Sequence, residues 1–280
     1  MMVSKAFISF YMFWNGRLHY KGAGLFLKLL KGVLPGLQNY PIRFPGGICV
    51  HVDFRDASGI YWLHEALGEP FEEDGLVQAF RQFVKEDSVV WDVGGNCGLF
   101  SFKAIANLPV KEWQVFEPNP KVAALAEEAL ANRREAHVNT FALSSRNGKS
   151  KIVLPSDGSL KATLEPERTS RHGVEMEIEC RRADDLVSAS SGWSLPSLIK
   201  LDVEGHEIEV LSGMTHIIHM ARPVIFFEHI SLTDEEISQC QPENYRLLSI
   251  SDKTGVLSEG FAREAGHNSV WVPEERALPH

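Results

Sequence analysis

The sequence predicts a doubly wound α/β fold, a mostly parallel sheet with helices on both faces. Three observations carry that expectation. Short apolar runs suited to buried strands recur at 88–93, 113–116, 138–143, 198–203 and 224–227. Helical patterns fall between them, as right-handed strand–helix–strand crossovers require. The first run ends in a glycine cluster, Asp92-Val93-Gly94-Gly95-Asn96-Cys97-Gly98, where strand should pass into helix.

Residues 1–85 read as an N-terminal accessory or cap segment, and 86–280 as the main domain. Segments 7–14 and 24–37 are apolar, but neither reaches the ~18–20 uninterrupted apolar residues of a membrane span. No small-x-small pattern follows the first, so no cleaved signal peptide is expected. Residues 48–54 suit a strand. The stretch 60–85 reads as helical, with Leu76, Ala79, Phe80 and Phe83 on one buried face.

After the glycine cluster come a helix over 99–106 and the strand at 113–116. Asn119 is a good N-cap and Pro120 suits the first position of the next helix, whose stripe is Val122, Leu125, Ala126, Ala129 and Leu130. Between the fourth and fifth strands, Ile208, Leu211, Thr215 and Ile218 keep helical phase. Two features break the alternation. An insert at 149–182 carries a β-ribbon, 151–154 and 174–180, joined by a polar connection over 155–173. In its second arm Val174, Met176, Ile178 and Cys180 alternate with Glu175, Glu177 and Glu179. At the end of the chain, 245–250 and 268–272 form a C-terminal antiparallel strand pair.

Composition narrows the function. The chain has 280 residues, 28 Lys+Arg against 37 Asp+Glu, and a formal charge of −9. With no block of basic residues, a nucleic-acid partner is excluded, because a phosphate backbone demands a clustered basic surface. Cys49, Cys97, Cys180 and Cys240 make no CxxC or Cys/His spacing, which excludes a zinc ribbon and a disulfide framework and points to a reducing, cytoplasmic home.

The glycine cluster carries the strongest chemical signal. Glycines at the carboxyl edge of a sheet let backbone approach a ligand closely. The dinucleotide fingerprint GxGxxG fails in either register, because Asn96 and Leu99, or Cys97 and Phe100, stand where glycines are needed. An acidic residue followed by GxNxG instead resembles the loop of S-adenosylmethionine (SAM) enzymes. Glu117 ends the second strand, where a carboxylate can accept both hydroxyls of a ribose. If the fourth strand runs through Glu204, a period of two puts Asp202 and Glu204 on one face above the sheet. Such a pair could bind the cofactor's amino group, hold a divalent cation or accept a substrate proton. His229, just past the fifth strand, is the remaining base candidate, and with the two carboxylates it could complete a site for a hard cation. No metal is assigned. Two rival classes share these features: a nucleotide-cofactor oxidoreductase and a non-catalytic SAM-binding protein.

The glycine loop, Phe116-Glu117-Pro118-Asn119-Pro120, Ala142-Leu143-Ser144, Ala183-Asp184-Asp185-Leu186, Ile199-Lys200-Leu201-Asp202-Val203-Glu204-Gly205 and Asn268-Ser269-Val270-Trp271-Val272-Pro273 stand in the order seen in FkbM-type methyltransferases. The chain resembles that family from about residue 61 to 273. The resemblance implies a Rossmann-like class I methyltransferase sheet and SAM-dependent O-methylation of a hydroxyl on a sugar, glycan or secondary metabolite. On this reading Asp92, Gly94, Gly95, Asn96, Gly98, Glu117, Asn119, Ala142 and Asp202 are expected to bind the cofactor, and Asp202 and Glu204 to lie nearest the reacting centre, with His229 as a further base. Gly95 stands where the family commonly has Ala, Cys97 where it has an aliphatic residue, and Ser145 where an acidic residue often follows Ala-Leu-Ser.

Overall fold

Strands that are apolar at every position must be covered on both sides, and the main sheet is built that way. In the computed structural model, residues 39–54, 57–68, 73–106, 108–155, 162–165, 173–187 and 192–279 are described. The apolar segments 7–14 and 24–37, and most of the connection 155–173, lie outside them. Among the described residues, no helix is long and apolar enough to cross a membrane.

The elements in chain order are β1 (Tyr40–Arg43), β2 (Cys49–Val52), α1 (Ala57–Leu67), α2 (Asp74–Arg81), β3 (Val89–Val93), α3 (Leu99–Ile105), β4 (Glu112–Phe116), α4 (Pro120–Leu130), β5 (Ala136–Asn139), β6 (Ala142–Leu143), β7 (Gly148–Pro155), β8 (Gly173–Arg181), α5 (Ala183–Leu186), β9 (Leu198–Leu201), α6 (Glu207–Ser212), α7 (Thr215–Ala221), β10 (Val224–Glu228), α8 (Asp234–Cys240), β11 (Tyr245–Ile250), β12 (Leu257–Glu259) and β13 (Asn268–Pro273). The main sheet runs β12-β11-β13-β10-β9-β3-β4-β5. Strands β10, β9, β3, β4 and β5 are parallel, whereas β13 is antiparallel to both β10 and β11.

Alternation along the strands fills both faces. Trp91, Ile199, Ile225 and Trp271 pack with Val210 and Leu211 of α6 and Ile217 of α7. Val90, Leu198, Phe226 and Val270 face the other way, against Leu76 and Phe80 of α2 and Phe100 of α3. Each such large side chain contributes about 2 kcal/mol of apolar burial. The β1–β2 hairpin lies on α4, with Ile42, Val50 and Val52 against Val122 and Ala129.

Four elements differ from the sequence reading. The apolar run at 138–143 is two strands: β5 closes the main sheet, while β6 leaves it and pairs in parallel with β8 in a separate sheet ordered β6-β8-β7. Phe141, at the crossing, packs beside Phe116 with the Arg181 guanidinium 4.2 Å above its ring. The helical stretch after β9 breaks into α6 and α7 at Gly213, where a side chain would strike the Ser144 carbonyl. The stretch 60–85 is two helices, α1 and α2. Strand β9 stops at Leu201 instead of running through Glu204, and that early stop shapes the site.

Candidate functional site

One cleft opens at the carboxyl ends of β3, β4, β9 and β10. It is lined by Gly94, Asn96, Phe116, Glu117, Ala142, Leu143, Asp202, Glu204, His206 and Glu228, with Tyr61 and Glu73 from the N-terminal segment and Ile152, Ala162 and Leu164 from the insert.

The glycine loop is held by its own neighbours. The amides of Gly94 and Gly95 both donate to the Phe116 carbonyl, at 2.9 and 3.0 Å. Gly94 has φ +79, and a Cβ there would collide with the Asp202 carbonyl. A Cβ on Gly95 would meet Val115, and one on Gly98 would meet Ala126 of α4. The sequence suggested glycines that make room for a ligand. They make room for the protein, and the loop is compressed between β4, β9 and α4. Of the loop, Gly94 and Asn96 line the cleft, while Gly95 and Gly98 lie behind it.

Glu117 fastens the loop to the end of β4. Its Oε2 accepts from the Asn96 amide at 3.1 Å and its Oε1 from the Asn119 amide at 2.8 Å. Burial pushes its pKa up to about 7, against the pull of those two amides. Each oxygen keeps a further lone pair for a ligand hydroxyl. Asn119 itself is turned away: its Oδ1 accepts from the Lys121 amide at 3.1 Å and caps α4. The N-cap expected of it is present, and Asn119 is not among the residues that line the cleft.

Asp92 is also displaced from its expected role. Its side chain is fully buried and does not reach the cleft. Ser101 Oγ donates to its Oδ2 at 2.5 Å, and Trp113 Nε1 donates to Ser101 Oγ at 2.7 Å. Lys200 Nζ lies 3.5 Å from Asp92 Oδ1 and 3.2 Å from Asp202 Oδ2, and donates to the Gly94 carbonyl at 3.3 Å. Burial raises the Asp92 pKa, with Lys200 opposing. Burial alone would lower that of Lys200, but the Asp202 and Asp92 carboxylates outweigh it and hold its proton tightly. Asp92 is thus a buried anchor for the lysine that steadies Asp202.

Beyond β9 the chain turns sharply. Glu204 takes φ +55 and Gly205 φ +102. Glu207 Oε1 accepts from the Val203 and Gly205 amides at 3.1 and 3.3 Å, and burial pushes its carboxyl up to about 7. From the insert, Thr163 Oγ1 donates to the Glu204 carbonyl at 2.7 Å. His206 Nε2 lies 2.9 Å from Ser144 Oγ and its Nδ1 2.8 Å from Glu165 Oε1. Asp202 and Glu204 do come together, through this turn and not through strand alternation. Glu228 joins them, and the three offer carboxylate oxygens within 4.8 Å of one another. That donor set suits a hard cation. Glu165, His206 and Glu209 form a second such group.

His229 does not reach the cleft. It is 2 % exposed, with Nε2 3.1 Å from the Gly266 carbonyl, Nδ1 3.2 Å from Ser269 Oγ and the Phe261 ring at its edge. Burial and the nearby Arg263 lower its pKa to about 4, so it is a neutral packing residue at pH 7. The residue that faces the cleft is Glu228, which ends β10 as Glu117 follows β4. That shared position was the signal available in the sequence.

Comparison with known proteins places the chain in a family. The family described as the methyltransferase FkbM domain matches residues 92–255. A hexuronic acid methyltransferase, AglP of Haloferax volcanii, is 30 % identical over 213 residues, covering 74 % of this chain and 84 % of that protein. The 31-O-demethyl-FK506 methyltransferase FkbM of Streptomyces tacrolimicus is 27 % identical over 62 % of this chain and 75 % of its own. The 2-O-methyltransferase NoeI of Sinorhizobium fredii is 27 % identical over 59 % and 73 %. An oxidoreductase or a non-catalytic binding protein is not favoured, and the chain belongs to the FkbM family of SAM-dependent methyltransferases.

Proposed function

We propose that this methyltransferase binds SAM with its ribose on Glu117 and its ammonium on Asp202, and methylates a hydroxyl oxygen of a sugar, glycan or hydroxylated secondary metabolite, with Glu204 accepting the proton. The chemistry of the cleft fits the cofactor. SAM presents a diol, an ammonium group and an adenine, and the cleft presents a carboxylate at β4, a carboxylate at β9 and the apolar Phe116, Ala142 and Leu143. When bound, SAM supplies a methyl group already activated by its sulfonium.

The protein's part is alignment and proton removal. Asp202, tied to Lys200, is suited to orient a cation. Glu204 lies beside Glu228, and a positioned base is worth roughly 10²–10⁴ in rate. The observation that carries this reading is the convergence of Glu117, Asp202, Glu204 and Glu228 on one cleft. The N-terminal segment 1–85 and the insert 149–182 supply its rim, through Tyr61, Glu73, Ile152, Ala162 and Leu164, and would choose the acceptor. The relatives named above include a hexuronic acid methyltransferase and a 31-O-demethyl-FK506 methyltransferase, which supports a small-molecule or glycan acceptor. The four cysteines are free thiols, which suits the cytoplasm.

The test is transfer of labelled methyl from SAM to a panel of sugars and hydroxylated metabolites. Asp202→Asn should weaken SAM binding, and Glu204→Gln should abolish transfer with SAM binding retained. Full affinity and turnover in both would end the assignment. A second reading, in which Asp202, Glu204 and Glu228 hold a divalent cation that acidifies the hydroxyl, predicts loss of transfer with a chelator and recovery with Mg²⁺.

A further inference from the structure

Glu207 is the first residue of α6 and is 1 % exposed. Its side chain does not reach the cleft. One oxygen, Oε1, accepts two amides, those of Val203 and Gly205, at 3.1 and 3.3 Å. The other, Oε2, is buried with no hydrogen-bond partner. An unmet buried carboxylate oxygen costs stability. A first-turn glutamate suits the helix dipole, but that does not require two amides on one of its oxygens and none on the other.

The two amides it binds belong to the residues on either side of Glu204. Glu204 is one of four non-glycine residues with positive φ among the described residues, a conformation that costs roughly 1–2 kcal/mol. Drawing both amides onto a single oxygen fixes the Asp202–Val203 and Glu204–Gly205 peptide planes, and so brackets the turn that contains Glu204. Thr163 holds the same residue from the opposite side, through its carbonyl. The outcome is a Glu204 carboxylate gathered with those of Asp202 and Glu228.

We propose that Glu207 is a positioning residue: through the Val203 and Gly205 amides it holds Glu204 in the left-handed conformation that turns its carboxylate into the cleft. Glu207 touches neither cofactor nor acceptor, and its effect passes through Glu204. The inference rests on the reading of Glu204 as the proton acceptor. It predicts a split between binding and turnover, because the ribose site at Glu117 is on another strand and Asp202 is held independently, by Lys200 and by its own amide on the Val93 carbonyl.

The test compares Glu207→Asp, Glu207→Ala and Glu207→Gln in the full chain, with folding checked by circular dichroism and SAM affinity by calorimetry. Turnover is read as label transfer from SAM to the best acceptor of the panel. Asp is too short to reach both amides and Ala has no acceptor, so either should keep SAM affinity within about threefold while transfer falls on the order of 10²-fold, the scale of a misplaced catalytic group. Gln keeps an oxygen for the amides and should recover transfer to within about fivefold of wild type. Reading two disruptive variants keeps the test alive if one fails to fold. Wild-type transfer in Glu207→Asp or Glu207→Ala, an equal fall in SAM affinity, or a Gln variant as poor as Asp would each overturn the proposal. Glu204→Gln separates the two levels. If that variant turns over normally, the base assignment falls and this inference with it. If it is inactive while Glu207→Asp is active, only the inference about Glu207 falls.

Discussion

Lys200 and Asp92 face each other at 3.5 Å inside the sheet, and the same ammonium reaches Asp202 at 3.2 Å. One buried cation therefore links a carboxylate that never meets the cleft to one that lines it. Lys200→Met should destabilise the protein by about 3–5 kcal/mol, because it strands Asp92 without a counter-charge. Adding Asp92→Asn to that variant should restore much of the stability, as measured by urea denaturation, but not the SAM affinity. Equal recovery of both would show that Lys200 serves the fold alone.

With Glu117 as the proposed ribose ligand, cofactor binding is expected to be sensitive to pH. Its pKa in the folded protein, about 7, stands above the ordinary 4.5, so the folded state carries an extra proton between those values. The protein without cofactor should therefore lose stability as pH rises from about 4.5 through about 7, with Glu207 acting over the same window. Glu117→Gln should flatten that slope in thermal melts. SAM affinity should change in the opposite sense and rise through about pH 7, because ribose hydroxyls donate to the ionised form. Calorimetry at pH 6 and pH 8 showing equal affinity would remove Glu117 from the ribose site.

A Cβ on Gly95 would run into Val115, which is fully buried. Gly95→Ala should cost about 1–3 kcal/mol by overpacking. Combined with Val115→Ala it should cost clearly less than the sum of the two single changes. Additive costs would mean that the loop moves and Val115 does not.

Glu228 and His229 are neighbours in sequence with opposite surroundings. Glu228→Gln should lower methyl transfer at least about tenfold, with little change in melting temperature. His229→Gln should do the reverse, costing about 1–2 kcal/mol through the lost Gly266 and Ser269 bonds while turnover per folded molecule stays near wild type. A large turnover defect in His229→Gln would return it to the site.

The main sheet was legible because its inner strands are buried on both faces and read as apolar runs: β3, β4, β9 and β10 appear within a residue or two of where Trp91, Trp113, Ile199 and Phe226 put them. The start of α4 was legible because Asn119 and Pro120 mark it chemically. The split between β5 and β6 was not, since apolar pattern says that Val138 and Leu143 are covered but not by which sheet. The pairing of Asp202 with Glu204 was reached through an alternation that the structure does not contain. The left-handed turn that achieves it depends on amides drawn to Glu207, and backbone groups leave no mark in a pattern of side chains. Glu228 went unread for a related reason: of two adjacent residues at a strand end only one faces the cleft, and the sequence does not say in which phase β10 reaches it.

The ribbon formed by β7 and β8 carries its own apolar cluster, Ala142, Ile152, Ile178 and Cys180, and displays on its outside the pairs Lys149–Glu177, Lys151–Glu175 and Arg181–Glu179. Its inner side is tied to the site, through Thr163 on Glu204 and Glu165 on His206. A unit with its own interior and its own solvent face, anchored at those two points, should tolerate charge reversal along its outer ion pairs while responding sharply to any change at Thr163 or Glu165, so its two faces are free to drift at very different rates.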